Sequence, residues 1–291
     1  MRNDEPTLSD PQVSPQGDVY VETLQQLAKP FPAIKLVDWR DFNKLTGGFR
    51  KHEFSIFCGG TGTGKTTFLA NVSAQLVKQN QKHFVMSVET GRHDWMRRVL
   101  SVFAERDLNT GDPIPTEELS RIHVQNAAHL ERNCIQFSHY EDRTPVAQLK
   151  HDLAVMMRQG CDLAMIDNLN FFMEVTSAKD QVVEMDRVIH DLIIFVKKNP
   201  IHIIMVMHPN KSKGHARVES EFDIKGSSTA VQEAQNVFLW NRPKPEDIES
   251  GVRHRFDREL TLNKMRRRGI YVGTTLIMSS NGTSYSEKGF A

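Results

Sequence analysis

Residues 59–66 read Gly59-Gly60-Thr61-Gly62-Thr63-Gly64-Lys65-Thr66 and match the pattern G-x-x-x-x-G-K-[ST] at every position. An apolar run at residues 54–58 precedes this segment, and a helix is predicted from Lys65 onward. A strand, a glycine-rich loop and a helix start are the context that a phosphate-binding loop, or P-loop, requires. With Thr67 at its end, the segment predicts a nucleotide site in which Lys65 contacts the β- and γ-phosphates and Thr66 binds Mg²⁺.

The composition is that of an ordinary globular chain. Of 291 residues, 39% are apolar and 25% are charged, which excludes collagen-like and wholly disordered proteins. Lys and Arg total 37 against 36 Asp and Glu, so the chain is no bulk polycation, although a local anion-binding surface is compatible with that balance. The three cysteines, Cys58, Cys134 and Cys161, lie far apart and predict neither a disulfide framework nor a zinc knuckle.

No apolar stretch approaches the length of a membrane helix, and residues 1–20 lack a signal or transit pattern. We therefore expect a cytoplasmic protein, from a bacterium or a phage-infected cell, with no membrane partner. Residues 1–34 hold five of the twelve prolines and predict a flexible leader with one short helix near residues 19–28. Residues 35–291 are expected to form a single domain.

Beyond residue 35, strand-like apolar runs alternate with segments of helical period. The predicted strands cover residues 54–58, 83–88, 134–138, 161–166 and 201–207. Predicted helices begin at Lys65 and His93 and cover residues 146–158 and 181–198. This alternation predicts an α/β fold with a doubly wound, mostly parallel sheet. The later runs 237–240, 259–263 and 272–278 are separated by turn signals and predict antiparallel strands at the C-terminal edge of that sheet.

Two acidic residues end predicted strands. Asp167 follows the apolar run 163–166, and the carboxyl end of a parallel strand lies beside the P-loop, so we predict that Asp167 binds Mg²⁺. Its alternative is a cap before Asn168. Glu89 ends the strand that follows the P-loop helix and could polarise an attacking water. A solvated strand-end carboxylate is the alternative for Glu89.

Basic and polar residues follow the third strand and recur near the C-terminus. His208 could contact the γ-phosphate, and Lys211 and Lys213 in the next loop could contact DNA phosphates; a structural histidine and solvated lysines are the alternatives. A basic segment, residues 253–268, could bind nucleic-acid phosphates or reach the nucleotide of a neighbouring subunit. Its cations are Arg253, Arg255, Arg258, Lys264, Arg266, Arg267 and Arg268. A solvated face is the alternative for this segment.

Taken together, residues 36–285 resemble the helicase domain of the DnaB-like replicative helicase family, in the branch of the phage T7 primase–helicase and the mitochondrial Twinkle helicase. The segment Leu45-Thr46-Gly47-Gly48-Phe49 and the order of five motifs carry this resemblance. It implies a RecA-like P-loop NTPase fold that uses ATP and Mg²⁺. It also implies that Glu89 is the catalytic base and that His208 senses the γ-phosphate.

Further roles are implied by the same resemblance. Asn210, Lys211 and Lys213 would bind single-stranded DNA, as would Gly226, Ser227 and Ser228 in a block that ends Gln-Glu-Ala-Gln-Asn, where Gln235 replaces the family's usual Asp. Lys264-Met265-Arg266 matches the Lys-x-Arg that reaches the neighbouring subunit's γ-phosphate, which makes Lys264 and Arg266 catalytic. Arg242 matches an arginine that stacks on the nucleotide base.

The implied protein is an ATP-driven helicase ring, a homo-oligomer and most simply a hexamer, that moves on single-stranded DNA beside a primase or polymerase partner. The residues before the domain carry no primase or zinc-binding pattern, so we expect no primer synthesis. One alternative is a RecA-like recombinase or clock-type ATPase, against which the basic loop after His208 and the Lys-x-Arg both count. The other is an ATP-binding, DNA-associated partner without unwinding activity, against which Glu89 counts.

Overall fold

The structure is a computed structural model that describes residues 15–28, 32–87, 89–138, 146–168, 178–210, 217–224 and 228–291. The chain divides into two compact units, Met1–Ala33 and Ile34–Ala291. In the first, α1 (Gln16–Leu27) exposes Val19, Tyr20, Val21, Leu24 and Leu27. Among the helices of the described ranges, none combines the length and apolarity that crossing a bilayer would demand.

The remaining elements alternate as the sequence predicts. The helices are α2 (Arg40–Thr46), α3 (Lys65–Lys78), α4 (Arg92–Ala104), α5 (Thr116–Leu130), α6 (Val146–Arg158), α7 (Ala178–Lys198), α8 (Ser228–Glu233) and α9 (Pro245–Glu249). The strands are β1 (Ala33–Ile34), β2 (Phe49–Arg50), β3 (Phe54–Gly59), β4 (His83–Ser87), β5 (Ile135–Phe137), β6 (Leu163–Asp167), β7 (His202–Met207), β8 (Asn236–Asn241), β9 (Arg258–Met265), β10 (Thr275–Ser280) and β11 (Tyr285–Phe290). Short 3₁₀ turns cover Glu221–Asp223 and Gly269–Tyr271.

Within the residues that the structure describes, the main sheet has nine strands in the order β11-β10-β9-β8-β3-β7-β6-β4-β5. Strands β8, β3, β7, β6, β4 and β5 are parallel, and β9, β10 and β11 continue the sheet with antiparallel pairing. The predicted mostly parallel sheet with antiparallel strands at its C-terminal edge is therefore confirmed. Because β3 lies between β7 and β8 and away from β4, the carboxyl ends of strands distant in sequence meet beside the P-loop.

Helices cover both faces of this sheet, which makes it doubly wound. Every residue of β3 is buried, and alternate residues face opposite layers. Ile56 belongs to the apolar cluster that contains Ile189 of α7, whereas Phe57 stacks on Phe68 of α3 with ring centroids 4.6 Å apart. The P-loop therefore leaves a strand that is fixed from both sides.

Several elements escaped prediction for physical reasons. The edge strand β11 alternates less exposed with exposed residues but contains Ser, Glu, Lys and Gly, which are poor strand signals. Helix α5 buries only Ile122 and Asn126 and therefore shows no apolar stripe in the sequence. The predicted strand at residues 272–278 begins instead at Thr275, because Gly273 has a φ of +88° after the preceding 3₁₀ turn.

Two fully buried histidines predict a loss of stability in acid. His83 and His202 each contact a serine hydroxyl through Nε2, and burial lowers the pKa of each imidazole to about 4. The unfolded chain, with histidine pKa values near the ordinary 6.5, binds more protons between these limits, so stability present above pH 6.5 is lost as the pH falls toward 4. Urea unfolding should show roughly 2 kcal/mol lost per histidine between pH 7.5 and 5.

A matched variant separates this effect from general acid unfolding. His202→Gln keeps a polar group for Ser55 Oγ and the Arg50 carbonyl, which His202 contacts at 2.9 and 2.7 Å. The variant should therefore retain only about half of the pH dependence. A pH dependence equal to that of the wild type would show that His202 is not the group being protonated.

Candidate functional site

The P-loop connects the end of β3 at Gly59 with the start of α3 at Lys65. The Lys65 ammonium is buried and donates to the carbonyl oxygens of Gly59 and Gly60 at 2.8 and 2.9 Å. Burial lowers the pKa of this ammonium, and the nearby Asp167 carboxylate is the largest opposing influence. The lysine predicted to contact phosphate therefore lies inside the loop, held only by backbone carbonyls that a stronger anion would replace.

Thr66 and Asp167, the predicted Mg²⁺ ligands, are in direct contact. Thr66 Oγ1 donates to Asp167 Oδ2 at 2.8 Å, across 101 residues of chain. Burial raises the pKa of the Asp167 carboxyl; Glu89 adds to the rise, while the Thr66 hydrogen bond, Lys65 and Arg98 oppose it. A hydroxyl and a buried carboxylate form a hard-oxygen donor pair that a cation would stabilise, so these residues fit Mg²⁺.

Asn168 joins two other predicted residues. Its amide nitrogen donates to Glu89 Oε2 at 3.2 Å and lies 3.3 Å from His208 Nε2, which accepts when that nitrogen carries no proton. Glu89, Asn168 and His208 lie just beyond the carboxyl ends of β4, β6 and β7. Sequence reasoning missed this role of Asn168. The signal was its position directly after Asp167 at the same edge of the sheet, although no motif gives it a task.

Arg98 of α4 is a second cation that sequence reasoning missed. Its Nη1 donates to Thr67 Oγ1 at a long 3.4 Å, and its Nε is buried without a hydrogen-bond partner among the residues that the structure describes. Helix α4 packs against α3, with Trp95 buried. Arg98 follows Trp95 by three residues and therefore lies on the same face of α4, where its guanidinium reaches the first turn of α3. Unused donors in such a place favour an anionic ligand.

Apart from Asn168, these side chains line one cavity of about 440 Å³. Its lining consists of Thr61, Gly62, Gly64, Lys65, Thr66, Thr67, Glu89, Thr90, Arg98, Asp167 and His208. A second cavity, of about 430 Å³, shares Thr61 with the first. It is lined by Gly60, Thr61, Thr63, Arg217, Asn241, Arg242, Pro243, Lys244 and Pro245. Arg242 Nη2 donates to the Gly62 carbonyl at 2.7 Å, so the predicted base-stacking arginine lies at the rim of the P-loop.

The predicted catalytic residues Lys264 and Arg266 contact α8 and not the P-loop cavity as the structure describes it. Lys264 Nζ donates to the carbonyls of Val231 and Gln232, the former at 3.0 Å, and Arg266 Nη2 donates to Gln232 O at 2.7 Å. Both cations thus hold the last turn of α8. Within the described ranges, the lining of the P-loop cavity includes neither of them.

The predicted DNA-binding residues are only partly described. The backbone N–H of Asn210 donates to Asp223 O at 2.7 Å and its side chain to Phe222 O at 3.2 Å, which ties it to the 3₁₀ turn at Glu221–Asp223. Lys211, Lys213, Gly226 and Ser227 lie outside the described residues. Ser228 is the first residue of α8, and its side chain is likewise outside them.

The cations of the basic segment contact different parts of the chain. Arg253 approaches Glu259 at 3.9 Å, Arg258 donates to Thr63 O at 2.7 Å, Arg267 pairs with Glu53 at 2.7 Å, and Arg268 donates to Lys44 O. The segment's role in binding nucleic acid or a neighbouring nucleotide stays a prediction. Gln235, which replaces an aspartate, holds the start of β3 through both its backbone N–H and its Oε1, bonded to the carbonyl and N–H of Phe54.

Comparison with known proteins agrees with this architecture. The DnaB-like helicase C terminal domain matches residues 36–287. The chain belongs to this family. Its fold is similar to that of a solved structure described as an ATPase domain, with a TM-score of 0.77 at 12% identity over 93% of this chain and 97% of that chain.

A second solved structure supports the same fold. "The Structure Of A DnaB-Like Replicative Helicase And Its Interactions With Primase" matches with a TM-score of 0.76 at 12% identity, over 96% of this chain and 67% of that chain. The family predicted from the sequence and its RecA-like α/β fold are therefore both confirmed. At this level of identity, the structural likeness concerns the fold, and the roles of individual residues stay predictions.

Proposed function

We propose that this DnaB-like domain is an ATP-driven DNA helicase that assembles as a ring, moves on single-stranded DNA and hydrolyses nucleotide at subunit interfaces. One observation carries the proposal: the carboxyl ends of β3, β4, β6 and β7 bring Lys65, Glu89, Asp167 and His208 to a single cavity of about 440 Å³. A polar cavity with a P-loop lysine, hard-oxygen ligands and a strand-end carboxylate fits a nucleoside triphosphate and an attacking water.

Within one subunit, each side chain has a distinct task. Lys65 gives up its hydrogen bonds to the loop carbonyls and binds the phosphate chain instead. Thr66 and Asp167 would hold Mg²⁺, which when bound neutralises phosphate charge. Glu89 accepts the proton of the attacking water, while Asn168 holds that carboxylate in place and links it to His208.

The neighbouring subunit supplies the remaining cations. Lys264 and Arg266 are outside the cavity of their own chain, and a guanidinium is suited to the charge of a transferring phosphoryl group. This placement supports a site completed across a subunit boundary, in a closed ring that is most simply a hexamer. Arg242, at the rim of the P-loop, stacks on the base.

Single-stranded DNA is the proposed substrate of the ring pore. The segment with Asn210, Lys211 and Lys213 follows His208 directly in the sequence, and Gly226 and Ser227 directly precede α8, whose last carbonyls hold Lys264 and Arg266. A primase is the proposed protein partner, since one matched structure is described with its interactions with primase; a polymerase is the alternative partner.

A double substitution tests the DNA assignment. Lys211→Ala with Lys213→Ala should weaken binding to single-stranded DNA and lower the salt slope of log K by about 0.7 per lost phosphate contact. Fluorescence anisotropy at several salt concentrations measures this slope, and a phosphate-release assay measures the loss of DNA stimulation. The control is Lys197→Ala with Lys198→Ala, an equal loss of charge at the exposed C-terminal end of α7.

Three outcomes would contradict the proposal. A salt slope that the Lys211 and Lys213 changes leave intact would mean that this loop faces solvent and that DNA binds elsewhere. A wild-type chain that binds ATP but releases no phosphate, with or without DNA, would instead be an ATP-binding partner protein. Open helical filaments in electron micrographs would favour the recombinase-like alternative over a ring.

A further inference from the structure

The peptide between Thr63 and Gly64 is held from outside the P-loop by side chains of β8 and β9. The Thr63 carbonyl accepts two hydrogen bonds, from Trp240 Nε1 at 3.0 Å and from Arg258 Nε at 2.7 Å. In a trans peptide the carbonyl and the following N–H point in opposite directions. Two donors fixed on Thr63 O therefore also fix the direction of the Gly64 N–H.

Tyr285 of β11 packs beside Gly64. Gly64 has a φ of +93°, and a Cβ placed there would lie 2.6 Å from the Tyr285 hydroxyl oxygen, so only glycine fits. The Tyr285 ring is buried and meets Trp240 edge-on with centroids 5.2 Å apart. Its hydroxyl interacts with the Arg258 guanidinium. We call these three residues, Trp240, Arg258 and Tyr285, the Thr63 clamp.

Arg258 uses its donors within the protein. Its Nε donates to Thr63 O, and its guanidinium interacts with Tyr285. Its Nη1 donates to Asp257 O at 2.7 Å and to Arg255 O at 3.2 Å. Arg98 differs, because its buried Nε has no partner in the described parts of the chain and its guanidinium lines the cavity. Arg258 is absent from that lining as the structure describes it. Its contacts therefore suit it to shape the loop and not to bind the nucleotide.

We propose that Arg258, acting with Tyr285, is a positioning residue that sets nucleotide affinity by directing the Gly64 N–H into the phosphate site. This inference rests on the proposed nucleotide site. P-loop amides surround the α- and β-phosphates, which ADP and ATP share. An interaction made equally with substrate and transition state changes binding and not the chemical step. The clamp therefore acts on the affinities for ADP and ATP alike.

Arg258→Met tests the proposal, because methionine keeps an unbranched apolar stem and removes every donor. The dissociation constants for ADP and for ATP, measured by calorimetry with the full chain, should both rise about tenfold. The value of kcat at saturating ATP should stay within about threefold of the wild type, since the lost contact is uniform. Arg121→Met, an exposed arginine of α5, is the control and should change neither constant.

Tyr285→Phe is the second variant, and it decides the question if Arg258→Met does not fold. It keeps the ring beside Trp240 and removes only the hydroxyl that Arg258 contacts, so both dissociation constants should rise about threefold. Restoring a single donor in Arg258→Lys should recover part of the affinity lost in Arg258→Met.

Three results would overturn the inference. Affinities that remain at the wild-type value in both variants would show that the loop keeps its shape without the clamp. A loss confined to ATP would place Arg258 at the γ-phosphate, and a fall in kcat with unchanged affinity would give it a role in the transition state. In each case a wild-type chain that binds and hydrolyses ATP leaves the proposed function intact. A wild-type chain that binds no nucleotide would overturn both.

Discussion

Glu89→Gln is expected to lower kcat about 10²–10⁴-fold while ATP binding persists, because the substitution removes a general base and little else. Glutamine keeps the length and planarity of the side chain, and its carbonyl oxygen can still accept from Asn168, whose amide nitrogen lies 3.2 Å from Glu89 Oε2. The proton acceptor is lost, whereas the P-loop, Thr66 and Asp167 are untouched. Single-turnover phosphate release, paired with a nucleotide-binding titration, separates the two effects.

A surface carboxylate provides the matched control. Glu131 directly follows α5, is exposed and lies 3.6 Å from His123, so Glu131→Gln should leave kcat unchanged. If Glu89→Gln also keeps kcat within a few-fold, Glu89 is an ordinary strand-end carboxylate. A loss of ATP binding equal to the loss of turnover would instead assign Glu89 to binding.

The parts of this site that the sequence predicted are those encoded locally. The P-loop is eight consecutive residues, and Asp167 follows an apolar run that identifies the strand before it. Parallel strands place their carboxyl ends at one edge, which made Glu89 and His208 candidates for the same site. The resemblance to the DnaB-like family then favoured them over a solvated carboxylate and a structural histidine. The structure brings all of them to one cavity, as that pattern implied.

The residues that escaped prediction act through contacts distant in sequence. Arg98 meets Thr67 across 31 residues, and Arg258 meets Thr63 across 195. Neither arginine belongs to a local motif, and the sequence places Arg258 in a basic segment expected to bind nucleic acid or a neighbouring nucleotide. Its actual partner depends on the pairing of β9 with β8, which the chain composition does not specify.

Arg266→Ala is expected to lower kcat roughly 10³–10⁵-fold, the usual effect of losing an arginine that stabilises a transferring phosphoryl group. In the isolated chain its guanidinium donates to Gln232 O and lies outside the P-loop cavity lining. The proposal therefore requires that the loss occurs at the site of the neighbouring subunit. Arg158→Ala, an exposed arginine at the end of α6, is the control and should retain wild-type turnover.

Mixing two inactive variants tests this directly. A subunit with Arg266→Ala keeps Glu89, and a subunit with Glu89→Gln keeps Arg266. A complete site therefore forms wherever the Glu89 side of an Arg266→Ala subunit faces the Arg266 side of a Glu89→Gln subunit. Random mixing in equal amounts makes about a quarter of the boundaries complete in a ring of head-to-tail interfaces. Hydrolysis should therefore return in part, be greatest at intermediate ratios, and vanish on dilution below the assembly concentration.

Mixed rings that contain both variants and stay inactive have two explanations. These explanations make opposite predictions for dilute wild-type protein. If Arg266 acts within its own subunit, each wild-type monomer holds a complete site, so turnover per subunit is independent of concentration. If Arg266 acts across the boundary but hydrolysis requires every site of the ring at once, wild-type turnover falls as rings dissociate, even though mixed rings stay inactive. Turnover of the wild type measured across the assembly concentration therefore decides between them. A concentration-independent rate would require Arg266 to leave the Gln232 carbonyl for the cavity of its own chain.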